Sequence, residues 1–222
     1  MRFAPAEVVI YDHRMNIVFD FGNVLFEWDP VRLIEAHYPQ RESLPHTPSS
    51  LAEALISHQD WLDFDRGLID PTALADRSAV RLGLDAVQLG RFIARIPHVL
   101  PICEDAISVL RALAEGQHGE HRLLYLSNMP TAYAEVLEAR CPWIAQFDAG
   151  IFSGRVNMTK PNSDIYAEAE RRFNLDPAET LFLDDSPPNV HAARARGWRA
   201  EIINRECSVA EALGWHGVLR AG

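Results

Sequence analysis

Hydrophobic positions along this chain gather into short runs that stop abruptly on polar or small residues. Ile17-Val18-Phe19 ends at Asp20, with Gly22-Asn23 close behind, the mark of a buried strand closed by turn residues. Three further runs have the same character: Arg122–Leu126 ahead of Ser127-Asn128, Ala149–Ser153, and Thr180–Leu183 ahead of Asp184-Asp185. Ala200–Ile203 is a weaker fifth. Helical spacing fills the intervals. Glu104–Glu115 repeats Ile107, Leu110 and Ala114 and stops at Gly116. Ser163–Phe173 places Tyr166, Ala169 and Phe173 on one face with Ser163 as an N-cap, and Asn189–Arg196 stops at Gly197. Strands alternating with helices predict βαβ units, hence an α/β fold with a parallel sheet covered by helices on both faces.

The interval from Pro30 to Leu100 breaks the alternation. It holds no convincing strand, and five short helical patterns run through it, clearest at Ser50–Ser57, Thr72–Leu82 and Asp85–Ile96. Pro30, Pro97 and Pro101 punctuate its edges. Residues 30–98 are therefore expected to form a small helical cap inserted after the first strand, with residues 1–29 and 99–222 forming the core. Residues 1–14 read as an extension or edge structure, with Met15 as an alternative start.

Composition narrows the function classes. Of 222 residues, 48% are hydrophobic and 23% charged, ordinary for a globular chain with a substantial core. No apolar run approaches the roughly 18 residues a membrane span needs, and the first residues do not resemble a secretory signal, so no membrane association and a cytoplasmic address are expected. The net charge of −10, without a lysine or arginine run, argues against nucleic acid as a partner. An anionic substrate would need locally concentrated positive charge. Cys103, Cys141 and Cys207 lie far apart, as free thiols in a reducing compartment would. His118 and His121, among glycines and without a third ligand nearby, read as a solvated loop rather than a metal site. Oligomeric state is not legible.

The candidate chemistry lies where the strands end. Asp20, Ser127-Asn128 and Asp184-Asp185 each stand at the carboxyl end of an expected strand, the edge at which open parallel sheets bind ligands. Lys160, just before Pro161 at a helix entrance, can join them. Three carboxylates together call for a cation, and hard oxygen ligands with room for water and phosphate suit Mg²⁺. Lys160 adds positive charge, and Ser127 with the adjacent backbone N–H groups can donate to phosphoryl oxygens. A carboxylate nucleophile would split hydrolysis into two easier displacements.

The strings Phe19-Asp20-Phe21-Gly22-Asn23-Val24-Leu25, Leu126-Ser127-Asn128, Lys160-Pro161-Asn162-Ser163-Asp164-Ile165-Tyr166 and Phe182-Leu183-Asp184-Asp185-Ser186 resemble the four ordered motifs of the haloacid dehalogenase superfamily, from Met15 onward. The nearest flavour is the subgroup of bacterial sugar-phosphate phosphatases and the N-terminal phosphatase domain of soluble epoxide hydrolases. The resemblance implies a Rossmannoid core with a helical cap, and an aspartyl-phosphate on Asp20. It implies that Ser127 and Lys160 bind the phosphoryl group, with Asn128 a further candidate, and that Asp20, the Gly22 carbonyl and Asp185 hold Mg²⁺ with Asp184 beside them. The expected substrate is a small phosphorylated metabolite.

One departure stands out. Most phosphatases of the superfamily carry a second aspartate two residues after the nucleophile, as general acid and base; here that residue is Gly22. Acid catalysis is worth about 10²–10⁴-fold, so a sugar 1-phosphate, whose leaving oxygen is less basic, is the favoured substrate. Asp29 or a cap carboxylate could replace the acid, and Trp28 stands near the mouth beside Asp29. In the cap, Trp61-Leu62-Asp63-Phe64-Asp65-Arg66-Gly67 is either a specificity loop or cap packing with Asp65 and Arg66 solvated. Two alternatives stand beside the phosphatase: a metal-independent 2-haloacid dehalogenase, whose last motif typically lacks the acidic pair, and a catalytically weak binding module.

Overall fold

The computed structural model describes residues 14–38 and 45–219; most of the expected N-terminal extension lies outside them. Five parallel strands, β1 (Asn16–Phe19), β2 (Arg122–Ser127), β3 (Ala149–Phe152), β4 (Thr180–Asp184) and β5 (Arg199–Ile202), form one sheet in the order β3-β2-β1-β4-β5. Each matches an expected run to within a residue. Side chains alternate across a strand, so Ile17, Phe19, Leu123, Leu181 and Leu183 enter one core while Val18, Leu124, Leu126, Phe182 and Ala200 enter the other. Both sheet faces are therefore buried, and the strands read as continuous apolar runs rather than alternating ones.

Ten α-helices surround the sheet among the described residues. Between β1 and β2 run α1 (Pro30–His37), α2 (Pro48–Ile56), α3 (Gln59–Asp65), α4 (Pro71–Leu82), α5 (Ala86–Val99) and α6 (Glu104–Ala114). Proline opens α1, α2 and α4, each behind an Asp29, Thr47 or Asp70 side chain that accepts a first-turn N–H. Then come α7 (Thr131–Arg140), α8 (Ser163–Phe173), α9 (Pro187–Ala195) and α10 (Val209–Trp215). The N-cap of α8 is Asn162, with Ser163 the first helical residue, and α9 starts at Pro187 rather than Asn189. No described helix is long and apolar enough to cross a membrane.

Pro97 lies inside α5 instead of ending it. A proline has no N–H for the carbonyl four residues earlier, and here the Tyr133 hydroxyl of α7 donates to that Ile93 carbonyl at 2.8 Å. Arg140 of α7 donates to the Pro97 carbonyl at 2.9 Å and to the Leu100 carbonyl. The proline thereby creates an acceptor that fastens α5 to α7.

Connections leave β1 toward β2 on one side and β4 toward β5 on the other. The crevice between diverging connections is where open α/β sheets bind ligands, and it opens above the ends of β1 and β4.

Candidate active site

Asp20 follows β1 directly, and its N–H donates to the Leu183 carbonyl of β4 at 2.9 Å. This register sets Asp20 beside Asp184. Lys160 Nζ lies 2.8 Å from Asp20 Oδ1 and 2.6 Å from Asp184 Oδ2, with its side chain wholly buried. The ammonium also sits 5.2 Å from the centroid of the Phe182 ring. Asn128 brackets the Lys160 backbone: its Oδ1 accepts from the Lys160 N–H at 2.8 Å and its Nδ2 donates to the Lys160 carbonyl at 3.0 Å. The Lys160–Pro161 peptide is cis.

The two neighbouring aspartates do different things. Asp184 is fully buried and saturated: Oδ1 accepts from the Ser186 N–H at 2.8 Å and from Asn189 Nδ2 at 3.0 Å, and Oδ2 faces Lys160 and Asn189. Asp185 lines the cleft and accepts from Asn23 Nδ2 at 2.8 Å. Asn23, at φ +51°, turns its Oδ1 to the Trp28 N–H at 2.9 Å, so the turn after β1 and the end of β4 are tied together.

Carboxylate oxygens of Asp20, Asp184 and Asp185 lie within 4.8 Å of one another, the one such grouping among the described residues. His118 and His121 are not part of it; the His121 ring accepts from the Met15 N–H at 3.2 Å. Asp20 Oδ1 is buried and, although 2.8 Å from Lys160 Nζ, receives no well-angled hydrogen bond. Burial pushes the Asp20 carboxyl well above the usual range, Lys160 opposes this, and Asp184 and Asp185 add to it. Asp185 is raised too, first by burial, against the hydrogen bond from Asn23. Burial alone would lower the Lys160 ammonium, but Asp184 and Asp20 outweigh it and the net shift is upward. Three carboxylates against one ammonium, one with an undirected buried oxygen, form a donor set that fits a hard divalent cation.

Above this floor is a cleft of about 190 Å³. Gly22, Ser127 and Asn128 line its base beside Asp20 and Asp185, while Phe26, Trp28, Ile56, Trp61, Leu100 and Met129 form apolar walls. The Ser127 hydroxyl has no hydrogen-bond partner among the described residues. Asp29 does not reach the cleft lining; it caps α1 by accepting from the Arg32 N–H at 3.0 Å. In the Trp61–Gly67 stretch, Trp61 and Phe64 are buried, Arg66 donates to Thr159 Oγ1 at 3.2 Å, and Asp65 enters the cleft wall. Trp61 and Phe64 pack inside, as one reading of that stretch has it, but Asp65 and Arg66 are half-buried rather than solvated. Sequence reasoning did not find Asn189 or Tyr133. Neither stands at a strand end, and Tyr133 belongs to α7, which the hydrophobic pattern did not mark.

A parallel sheet thus gathers a carboxylate, a lysine and an acidic pair at its switch point. The family model for haloacid dehalogenase-like hydrolases matches residues 15–197, and the chain belongs to that family. It is 27% identical over 184 residues to the sesquiterpene phosphatase astK of Aspergillus oryzae, across 81% of this chain and 85% of that protein. In fold it is similar to the haloacid dehalogenase family enzyme bt-2542 of Bacteroides thetaiotaomicron, solved with magnesium and inorganic phosphate. That match has a TM-score of 0.69 at 22% identity and covers 86% of this chain and 95% of the other. It is also similar to the L-2-haloacid dehalogenase of Xanthobacter autotrophicus, at TM-score 0.64 and 22% identity over 94% and 85% of the two chains.

Proposed function

We propose that this hydrolase is a Mg²⁺-dependent phosphatase that cleaves a small phosphomonoester through an aspartyl-phosphate on Asp20. The observation that carries the reading is the asymmetry around Asp20. One side is closed by a buried lysine held on Asp184, and the other opens onto Asp185 and the cleft. A metal-free attack on carbon has no evident use for a second open carboxylate beside the nucleophile, so Asp185 weighs against the dehalogenase.

In this reading Asp20, the Gly22 carbonyl and Asp185 hold the ion. Asp184 and Asn128 serve as positioning residues, fixing the Lys160 ammonium and backbone respectively. Ser127 offers its free hydroxyl to a phosphoryl oxygen, and Lys160 neutralises charge shared between Asp20 and phosphate. Bound magnesium would supply the remaining charge neutralisation on the phosphoryl group. Helices α1–α5 act as the cap over residues 30–98, since α3 supplies Trp61 and Asp65 to the cleft wall. Three unpaired cysteines suit a reducing, cytoplasmic compartment.

The wall chemistry bears on the substrate. Aromatic and aliphatic side chains dominate, and polar groups come chiefly from the floor. A phosphomonoester with an apolar body fits this lining better than the sugar 1-phosphate expected from Gly22, and the likeness to a sesquiterpene phosphatase points the same way. The test is a panel of prenyl, aryl and sugar phosphates with and without Mg²⁺. Phosphate release should favour the apolar esters, cease with EDTA and fall to background in Asp20→Asn. Chloride release from 2-chloropropionate persisting in EDTA, or activity retained by Asp20→Asn, would sink the reading.

A further inference from the structure

Gly22 leaves the leaving group without a proton source at the usual place, and the cleft contains one carboxyl that the floor does not use. Asp65 ends α3 and lines the same cavity as Asp20, Ser127 and Tyr133. Among the described residues its carboxyl makes no hydrogen bond or ion pair. An unpartnered, half-buried carboxyl set near Asp20 in the same cleft is costly, so a role in the cavity is the economical account of its position.

Its placement is built rather than incidental. Ser153 Oγ, at the end of β3, accepts from the Met129 N–H at 2.8 Å and donates to the Asp65 carbonyl at 2.5 Å. Asn157 Nδ2 donates to the Arg66 carbonyl at 2.8 Å, and Arg66 Nε reaches Thr159, the neighbour of Lys160. Gly67 takes φ +72° and approaches Gly154 so closely that a Cβ would stand 2.3 Å from its carbonyl oxygen. Hydrogen bonds and a glycine–glycine contact thus lock the end of α3 to the loops that carry Met129 and Lys160.

We infer that Asp65 is the general acid and base of the reaction, supplying from the cap what Gly22 cannot supply from the strand end. The inference rests on the phosphatase reading. As Asp20 Oδ bonds to phosphorus, the bond from phosphorus to the ester oxygen breaks and its electron pair goes to that oxygen. The Asp65 carboxylic acid gives it a proton, releasing the alcohol. The Asp65 carboxylate then takes a proton from water as the water oxygen bonds to phosphorus. The bond from phosphorus to Asp20 breaks, inorganic phosphate leaves, and Asp20 and protonated Asp65 are restored. Burial raises the Asp65 carboxyl, with Asp20 adding to the shift and Lys160 opposing it, a direction that suits a proton donor. The other ionisable groups facing it are Tyr133, whose ionisation Asp65 opposes, and Asp185 across the cleft.

Leaving-group dependence tests this in the full chain with Mg²⁺. Nitrophenolate departs without a proton, whereas an alkoxide does not. Asp65→Asn should lower kcat/KM for a long-chain alkyl phosphate by about 10²–10⁴-fold. The pre-steady-state burst of p-nitrophenolate from p-nitrophenyl phosphate should persist at near wild-type rate and then give way to slow turnover. Should Asp65→Asn melt well below the wild type, Asp65→Ser serves with the same readouts. Equal losses on both esters, burst included, would overturn the acid role, as would unchanged alkyl phosphate cleavage. Wild-type protein inert toward both esters would instead overturn the phosphatase reading, and the acid role with it.

Discussion

Asp184 and Asp185 are chemically identical neighbours, and burial together with their partners sets them apart. Every oxygen of Asp184 is engaged, three of its contacts going to Lys160 and Asn189, whereas Asp185 keeps an open side toward the cleft. Removing one partner of a buried ion pair costs about 3–5 kcal/mol, because the other charge is left uncompensated. Asp184→Asn should therefore lower stability and kcat together, and added Mg²⁺ should not restore the rate. Asp185→Asn should leave thermal stability nearly unchanged and raise the Mg²⁺ concentration for half-maximal activity by at least about 10-fold, the effect that even outer-shell partners command. Titrating Mg²⁺ against rate, with a melting curve for each variant, separates the two. The adjacent pair is visible in the sequence. The division of labour is not, because it depends on Lys160 and Asn189 arriving from elsewhere in the chain.

At the scale of elements, the strands were the legible part, since apolar runs ending on polar residues mark both a buried strand and its functional end. Two helices escaped. α10 carries a capping box, Ser208 with Glu211, that a search for start signals would have found. α7 carries Ala132, Val136 and Ala139 on its half-buried and exposed faces beside the buried Tyr133, Ala134 and Leu137, which blurs the helical period. The end of α3 was legible only as two open alternatives, because the contacts that choose between them, to Ser153, Gly154 and Asn157, are distant in sequence. Gly67 is the sharpest probe of that junction. Alanine there would meet the Gly154 carbonyl at 2.3 Å in a left-handed backbone that disfavours side chains. Gly67→Ala should cost about 1–3 kcal/mol in chemical denaturation, and activity should drop further than stability explains, because Asp65 moves with the turn. A variant with normal kcat would show that the junction does not position Asp65.

For the whole molecule, a net charge of −10 would confront the anionic substrate proposed above. Locally, Asp20, Asp65, Asp184 and Asp185 stand against Lys160. A divalent cation bound there would leave that site near neutral rather than positive, particularly with Asp65 protonated. The entrance would therefore offer little attraction to offset the repulsion of a net-negative molecule. Apolar walls make sense in this setting: a hydrophobic body can supply the affinity that long-range electrostatics withholds, at about 25 cal/mol per Å² of apolar surface removed from water. Screening lengths shrink from about 30 Å at 0.01 M salt to about 8 Å at 0.15 M, which should mute the repulsion while sparing contacts inside the cleft. With Mg²⁺ held saturating, kcat/KM for a phosphomonoester should thus rise about 2- to 5-fold over that range, through KM rather than kcat. Prenyl and sugar phosphates should show the same salt slope, since both carry the same charged group, while differing in absolute KM. A fall in kcat/KM with salt would mean that the loaded cleft presents net positive potential, and that the acidic surface is decoupled from substrate capture.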